Sequence, residues 1–185
     1  MPIWIPNAIT IARLVAVPIF VLLLLAGNKE AAVWVFFAAG LSDALDGFLA
    51  KRFDAASQLG AYLDPVADKA LLFAAFVTLG WLGEVPLWLV AAVVLRDIVI
   101  VGGALLYLKI TQALTMEPLA VSKLNTAVQI GLAAVVLARL GLDWVAGPLE
   151  AVLIYATAAT TLVSGAAYVW VWGRRYVNIE QEKGQ

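Results

Sequence analysis

The chain has no cysteine and no histidine. The first absence excludes disulfides and thiol chemistry, and the second removes the commonest general base and metal ligand. Charge is scarce as well: Asp, Glu, Lys and Arg make up 14% of 185 residues, against about a quarter in a soluble domain. The formal net charge is −1, which gives no bulk electrostatic reason to bind nucleic acid. Any acid–base or metal chemistry must therefore rest on carboxylates, with Lys, Arg, Ser, Thr or Tyr in support. What is abundant is apolar: 64% of residues are hydrophobic and the mean hydropathy is +0.96. That composition reads as an integral membrane protein with no room for a separate soluble domain. The opening MPIWIPNAIT lacks the basic start of a signal peptide and the Arg/Ser-rich character of a transit peptide, so the chain is expected to enter the bilayer directly.

Six apolar runs, at 9–26, 31–52, 60–82, 85–108, 119–141 and 149–172, are each long enough to cross about 30 Å of hydrocarbon. The expected fold is all-α, with six transmembrane helices in one membrane domain over 1–185. The breaks carry turn chemistry: GNKE at 27–30, FDAASQ at 53–58, GE before Pro86, LTMEP at 114–118, and GLDW to GP at 141–148. All seven tryptophans fall near proposed helix ends, where an aromatic belt sits. With six spans, Arg13, Lys51, Arg52, Lys69, Arg96, Lys109, Lys123, Arg174, Arg175 and Lys183 lie on or nearest one side, and only Lys29 and Arg139 on the other. The positive-inside rule then puts both termini in the cytoplasm.

Against this background, "SDALDGFLAKRFDAASQLGAYLDPVADKA" at 42–70 places four acids in two pairs, Asp43/Asp46 and Asp64/Asp68. Spacings of three and four put each pair on one helical face, and the short link between them makes a hairpin that can turn the two faces together. Four ionised carboxylates so close repel strongly in a low dielectric, so either some are protonated or cations neutralise them. With oxygen ligands only, the natural cation is hard: Mg²⁺, Mn²⁺ or Ca²⁺. Four acids suffice for two ions, and a two-metal site suits phosphoryl-type transfer. One alternative is plain ion pairing with Lys51, Arg52 or Lys69. Another is a cation-coupled transporter, although such sites usually lie at the midplane on broken helices. A non-catalytic lipid-binding protein is the remaining different-class reading. Gly47 and Gly60 remove side chains beside the acids, either to admit a ligand or to pack helices closely.

The run D43-A-L-D46-G47-F-L-A50-K51, eight residues, then G60-A-Y-L-D64-P-V-A-D68 resembles the signature of the CDP-alcohol phosphatidyltransferases, D-x2-D-G-x2-A-R-x8-G-x3-D-x3-D. The one departure is Lys51, where the signature has arginine. The resemblance implies a six-helix, homodimeric membrane enzyme that replaces the CMP of a CDP-linked lipid with an alcohol. It implies that Asp43, Asp46, Asp64 and Asp68 serve two divalent cations, Mg²⁺ or Mn²⁺, with Asp68 as general base. Gly47, Ala50 and Gly60 would line the CDP pocket, and Lys51 would meet the pyrophosphate as a point charge without arginine's fork.

Three further stretches, IWIPNAITIARLVAVPIF at 3–20, LRDIVIVGGALL at 95–106 and SKLNTAVQI at 122–130, resemble the CDP-diacylglycerol-dependent cardiolipin synthases. Those enzymes use phosphatidylglycerol as acceptor and release CMP; related phosphatidylglycerophosphate synthases use glycerol 3-phosphate. The resemblance implies that Asn7, Thr10 and Arg13 close the nucleotide end of the site, and that Arg96 and Lys123 face the acceptor phosphate. Arg96 lies deep in the fourth helix, where an unpaired charge is expensive. Its other candidate partner is Asp97, although adjacent helical residues point to different faces. Asn125, Thr126 and Gln129 either read an acceptor headgroup or bond neighbouring helices. The expected location is a bacterial inner membrane with the site facing the cytoplasm, and Arg174 and Arg175 near anionic lipid.

Overall fold

The computed structural model describes the backbone of residues 4–53, 58–111 and 119–183, and the side chains of residues 11–42, 69–103, 119–172 and 174. Among the described residues there are six α-helices and no strand: α1 (Trp4–Leu25), α2 (Lys29–Phe53), α3 (Gln58–Trp81), α4 (Leu87–Thr111), α5 (Ala120–Gly141) and α6 (Pro148–Lys183). Every expected run is a helix. Two boundaries move by more than three residues: α1 begins five residues earlier, since Pro6 is tolerated in a first turn, and α6 runs eleven residues past Trp172. The chain divides into two compact units, Met1–Val85 with Ala133–Glu150, and Pro86–Leu132 with Ala151–Gln185.

In the first unit α1 packs against α2 and α3, and α2 touches α3. Phe20 and Phe36 meet at 5.8 Å between ring centroids, within a core that includes Leu24, Val33, Phe76 and Leu79. The helix ends have identifiable causes. After α1, the Asn28 amide donates to the Leu23 carbonyl and the Gly27 amide to Leu24, the paired bonds of a Schellman stop, with Gly27 at φ +79°. The same pair recurs after α3, from Glu84 to Leu79 and Gly83 to Gly80. Asn28 then caps α2, its Oδ1 accepting from the Ala31 amide at 3.3 Å.

Three turns of this unit gather at one end. A Cβ on Gly141, at the end of α5, would lie 2.6 Å from Val33 Cγ2 and 2.7 Å from the Lys29 carbonyl oxygen, so only glycine fits. Arg139 Nε donates to Glu150 Oε2 at 2.7 Å and its Nη2 to Glu84 Oε2 at 2.9 Å. The turns after α1, α3 and α5 therefore share an end. The tryptophans there, Trp34, Trp81 and Trp144, are all exposed.

The surface is apolar and much of the polarity is inside. Leu22, Leu95, Ile98, Val152, Tyr155 and Leu162 are exposed, while Arg13, Arg96, Asn125, Gln129, Thr157, Thr161 and Ser164 are buried. Exposed apolar surface on this scale needs a covering other than water. Among the described residues, α5 and the Pro148–Trp172 part of α6 are long and apolar enough to cross a membrane.

Candidate active site

The helical backbone puts the four acids at matched distances from the end of α2 and the start of α3. Asp46 lies seven residues before the end of α2 at Phe53, and Asp64 six residues after the start of α3 at Gln58. Asp43 and Asp68 are each ten residues from those ends. At 1.5 Å per residue Asp46 and Asp64 stand about 10 Å, and Asp43 and Asp68 about 15 Å, from their own helix ends. The side chains of Asn7, Thr10, Asp43, Asp46, Gly47, Ala50, Lys51, Gly60, Asp64 and Asp68 lie outside the described residues.

Arg13 is buried on α1, at a cleft of about 350 Å³ formed with α2 and lined by Ala16, Ile19, Val35, Ala38 and Ser42. Ser42 also lines the cleft, and its hydroxyl donates to the Ala38 carbonyl at 2.7 Å; Asp43 follows it in sequence.

In the second unit the sequence-predicted residues separate by environment. Arg96 is 6% exposed and donates from Nη1 to Asp97 Oδ1 (2.6 Å), from Nη2 to Ser122 Oγ (2.6 Å) and Ser164 Oγ (2.7 Å), and from Nε to Ser164 Oγ (3.2 Å). Asp97 is thus a partner of Arg96, because the long side chain reaches its sequence neighbour as well as two other helices. Lys123, one position from Ser122, is exposed and makes no ion pair among the described residues. Asn125 is wholly buried, and its Oδ1 accepts from Thr160 Oγ1 at 2.8 Å and Thr161 Oγ1 at 3.0 Å. Thr126 is exposed and returns its hydroxyl to the Ser122 carbonyl at 3.1 Å.

These contacts form a seam. Three residues forward on α5 from Ser122 to Asn125 match three back on α6 from Ser164 to Thr161. Four more reach Gln129 and Thr157, both buried. Asn125 Nδ2, Gln129 Nε2 and Thr157 Oγ1 have no hydrogen-bond partner among the described residues. The α6 half of the seam was not anticipated. Its signal was Thr157, Thr161 and Ser164 at i, i+4 and i+7 on an otherwise apolar helix.

A sequence profile of the CDP-alcohol phosphatidyltransferases matches residues 3–163. The chain belongs to the CDP-alcohol phosphatidyltransferase family. As a family member it resembles several curated proteins. It is 31% identical, over 88% of its length, to a Schizosaccharomyces pombe protein named cardiolipin synthase (CMP-forming) / mitochondrial hydrolase fusion protein, covering 30% of that protein. It is 31% identical to a Rattus norvegicus cardiolipin synthase (CMP-forming), over 98% of this chain and 65% of the relative. The chain thus spans less than two thirds of either. A Mycobacterium tuberculosis probable phosphatidylglycerophosphate synthase is 34% identical over 88% of this chain and 78% of its own. The matched span takes in both carboxylate pairs and the Arg96–Ser122 contacts of this phosphatidyltransferase-family chain.

Proposed function

We propose that the chain is a cardiolipin synthase that transfers the phosphatidyl group of CDP-diacylglycerol to phosphatidylglycerol and releases CMP. The observation that carries the reading is the signature itself, whose acids lie on two helices at matched distances from the end of α2 and the start of α3, Asp43 with Asp68 and Asp46 with Asp64. Phosphatidylglycerophosphate synthesis from glycerol 3-phosphate is the second reading, favoured by the Mycobacterium tuberculosis relative.

The all-oxygen donor set suits hard divalent cations, which Asp43, Asp46 and Asp64 would hold, with Asp68 also at the site. Bound Mg²⁺ or Mn²⁺ supplies charge neutralisation at the pyrophosphate and at departing CMP. The chain's own residues do the rest. Lys51 adds a positive charge at the pyrophosphate, while Asn7, Thr10 and Arg13 close its nucleotide end, and Gly47, Ala50 and Gly60 leave room for it. Asp68 takes the proton of the acceptor hydroxyl as that oxygen bonds to the lipid-bearing phosphorus and the bond from phosphorus to CMP breaks. That role needs an Asp68 only weakly coupled to a cation, since a close metal depresses proton affinity. Arg96 and Lys123 meet the acceptor phosphate, and Asn125 and Thr126 stand near its headgroup.

The setting is six membrane spans with both termini cytoplasmic, in a bacterial inner membrane, as a homodimer. The shared end of the turns after α1, α3 and α5, ringed by exposed tryptophans, supports alternating spans. Purified protein with Mg²⁺ or Mn²⁺, CDP-diacylglycerol and one acceptor at a time tests the reading. CMP release with phosphatidylglycerol is the expected result, and release with glycerol 3-phosphate alone selects the second reading. No CMP with any acceptor favours a transporter or a non-catalytic lipid-binding protein.

A further inference from the structure

We infer that Ser164, with Ser122, is a positioning residue for Arg96, fixing the guanidinium so that its one remaining N–H is presented to the acceptor phosphate. The inference rests on the proposed role of Arg96. A guanidinium has five N–H donors in a planar fork. Four are occupied here: Nε and one Nη2 hydrogen on Ser164 Oγ, the other Nη2 hydrogen on Ser122 Oγ, and one Nη1 hydrogen on Asp97 Oδ1. Among the described residues one Nη1 hydrogen is left without an acceptor, so Arg96 cannot grip a phosphate through two N–H groups without breaking one of these bonds. Its contribution to a ligand is a single oriented donor.

Orientation is where Ser164 acts. The two bonds to one oxygen, at 2.7 and 3.2 Å, hold the Nε–Nη2 edge of the plane and stop rotation about the Cδ–Nε bond. Asp97 and Ser122 then hold one N–H each on Nη1 and Nη2. Ser164 is wholly buried, so no solvent replaces the lost acceptor when the hydroxyl is removed. The seam keeps Ser164 in place: Asn125 bonds Thr160 and Thr161, four and three residues before it, locking the register that brings Ser122 and Ser164 to the same guanidinium. A hydroxyl pair suits this task better than a second carboxylate, because it orients the cation without cancelling more of its charge.

The test is steady-state kinetics on the purified full-length chain in vesicles containing CDP-diacylglycerol, with the acceptor that supports turnover. Ser164→Ala is expected to raise the apparent KM for the acceptor about tenfold, the scale of one bond to a charged group. KM for CDP-diacylglycerol and kcat should stay within about twofold. Ser164→Cys keeps the volume with a poor acceptor and should behave alike, whereas Ser164→Thr restores a hydroxyl and should recover the acceptor KM. Unchanged acceptor KM in Ser164→Ala and Ser164→Cys, while Arg96→Lys raises it, overturns the positioning role and leaves the reading of Arg96 standing. An acceptor KM indifferent to Arg96→Lys removes that reading and this inference together. Equal losses in every parameter, with Ser164→Thr no better, make Ser164 merely structural and overturn the inference as well.

Discussion

Arg96 and Arg139 each interrupt an apolar helix, and the chain treats them differently. Arg139 stands at the end of α5, about a third exposed, and answers two carboxylates from two other segments. Arg96 stands inside α4, nearly all buried, and answers one carboxylate and two hydroxyls. At a helix end the cation keeps part of its hydration, so carboxylates can tie segments together at little cost. Deep in an apolar unit, desolvation is severe, and each N–H needs a partner of good geometry. The first arrangement is that of a pin between turns. The second costs more than a pin requires, which is why it points to a task beyond packing.

The hardest blow to this comparison is Arg96→Ala. It leaves the half-buried Asp97 carboxylate and the buried Ser164 hydroxyl without their partner, so a loss of roughly 3 kcal/mol is expected, read as a fall in unfolding midpoint in detergent. A loss under about 1 kcal/mol would mean that Arg96 is no more committed than Arg139. Next comes Gly141→Ala, which pushes a methyl group against the Lys29 carbonyl and Val33. Backbone cannot yield as a side-chain tip does, and a cost of about 1–3 kcal/mol is expected without change in the KM values. Arg139→Ala should cost about 1 kcal/mol and leave turnover per folded molecule within about twofold. If turnover falls with stability intact, the turn end is part of the chemistry and the contrast between the two arginines fails.

Much of this was legible in the sequence for reasons these residues show. Gly27 and Gly83 marked helix ends because a left-handed residue is needed there, and Asn28 marked a start because its side chain caps one. The helices that carry the carboxylate pairs were legible as apolar runs of spanning length. The length of α6 was not: the end of an apolar run marks where lipid contact stops, and the helix-forming residues after Trp172 carry the backbone on to Lys183. Nor was the Arg139 cluster, whose members lie 11 and 55 residues apart with no local signal. Ser164 is an intermediate case. A polar stripe on α6 was visible at helical spacing, but that it closes on Arg96, 68 residues away, depends on how α4, α5 and α6 pack.

The smallest expected effect concerns a third cation, Lys51, where the family signature has arginine. Its comparison with Arg96 is chemical. Arg96 uses its planar fork to bind four oxygen contacts in fixed directions. A lysine at 51 offers a compact charge and rotating donors, sufficient to neutralise a pyrophosphate but not to orient it. Lys51→Arg should therefore lower the KM for CDP-diacylglycerol by about two- to fivefold, leaving the acceptor KM unchanged. The reverse exchange, Arg96→Lys, should raise the acceptor KM, because there direction matters as well as charge. If Lys51→Arg instead impairs turnover, the pocket around residue 51 is shaped to the narrower ammonium group. The departure from the signature would then be an adaptation of this chain, and charge alone would no longer describe the proposed contact with the pyrophosphate.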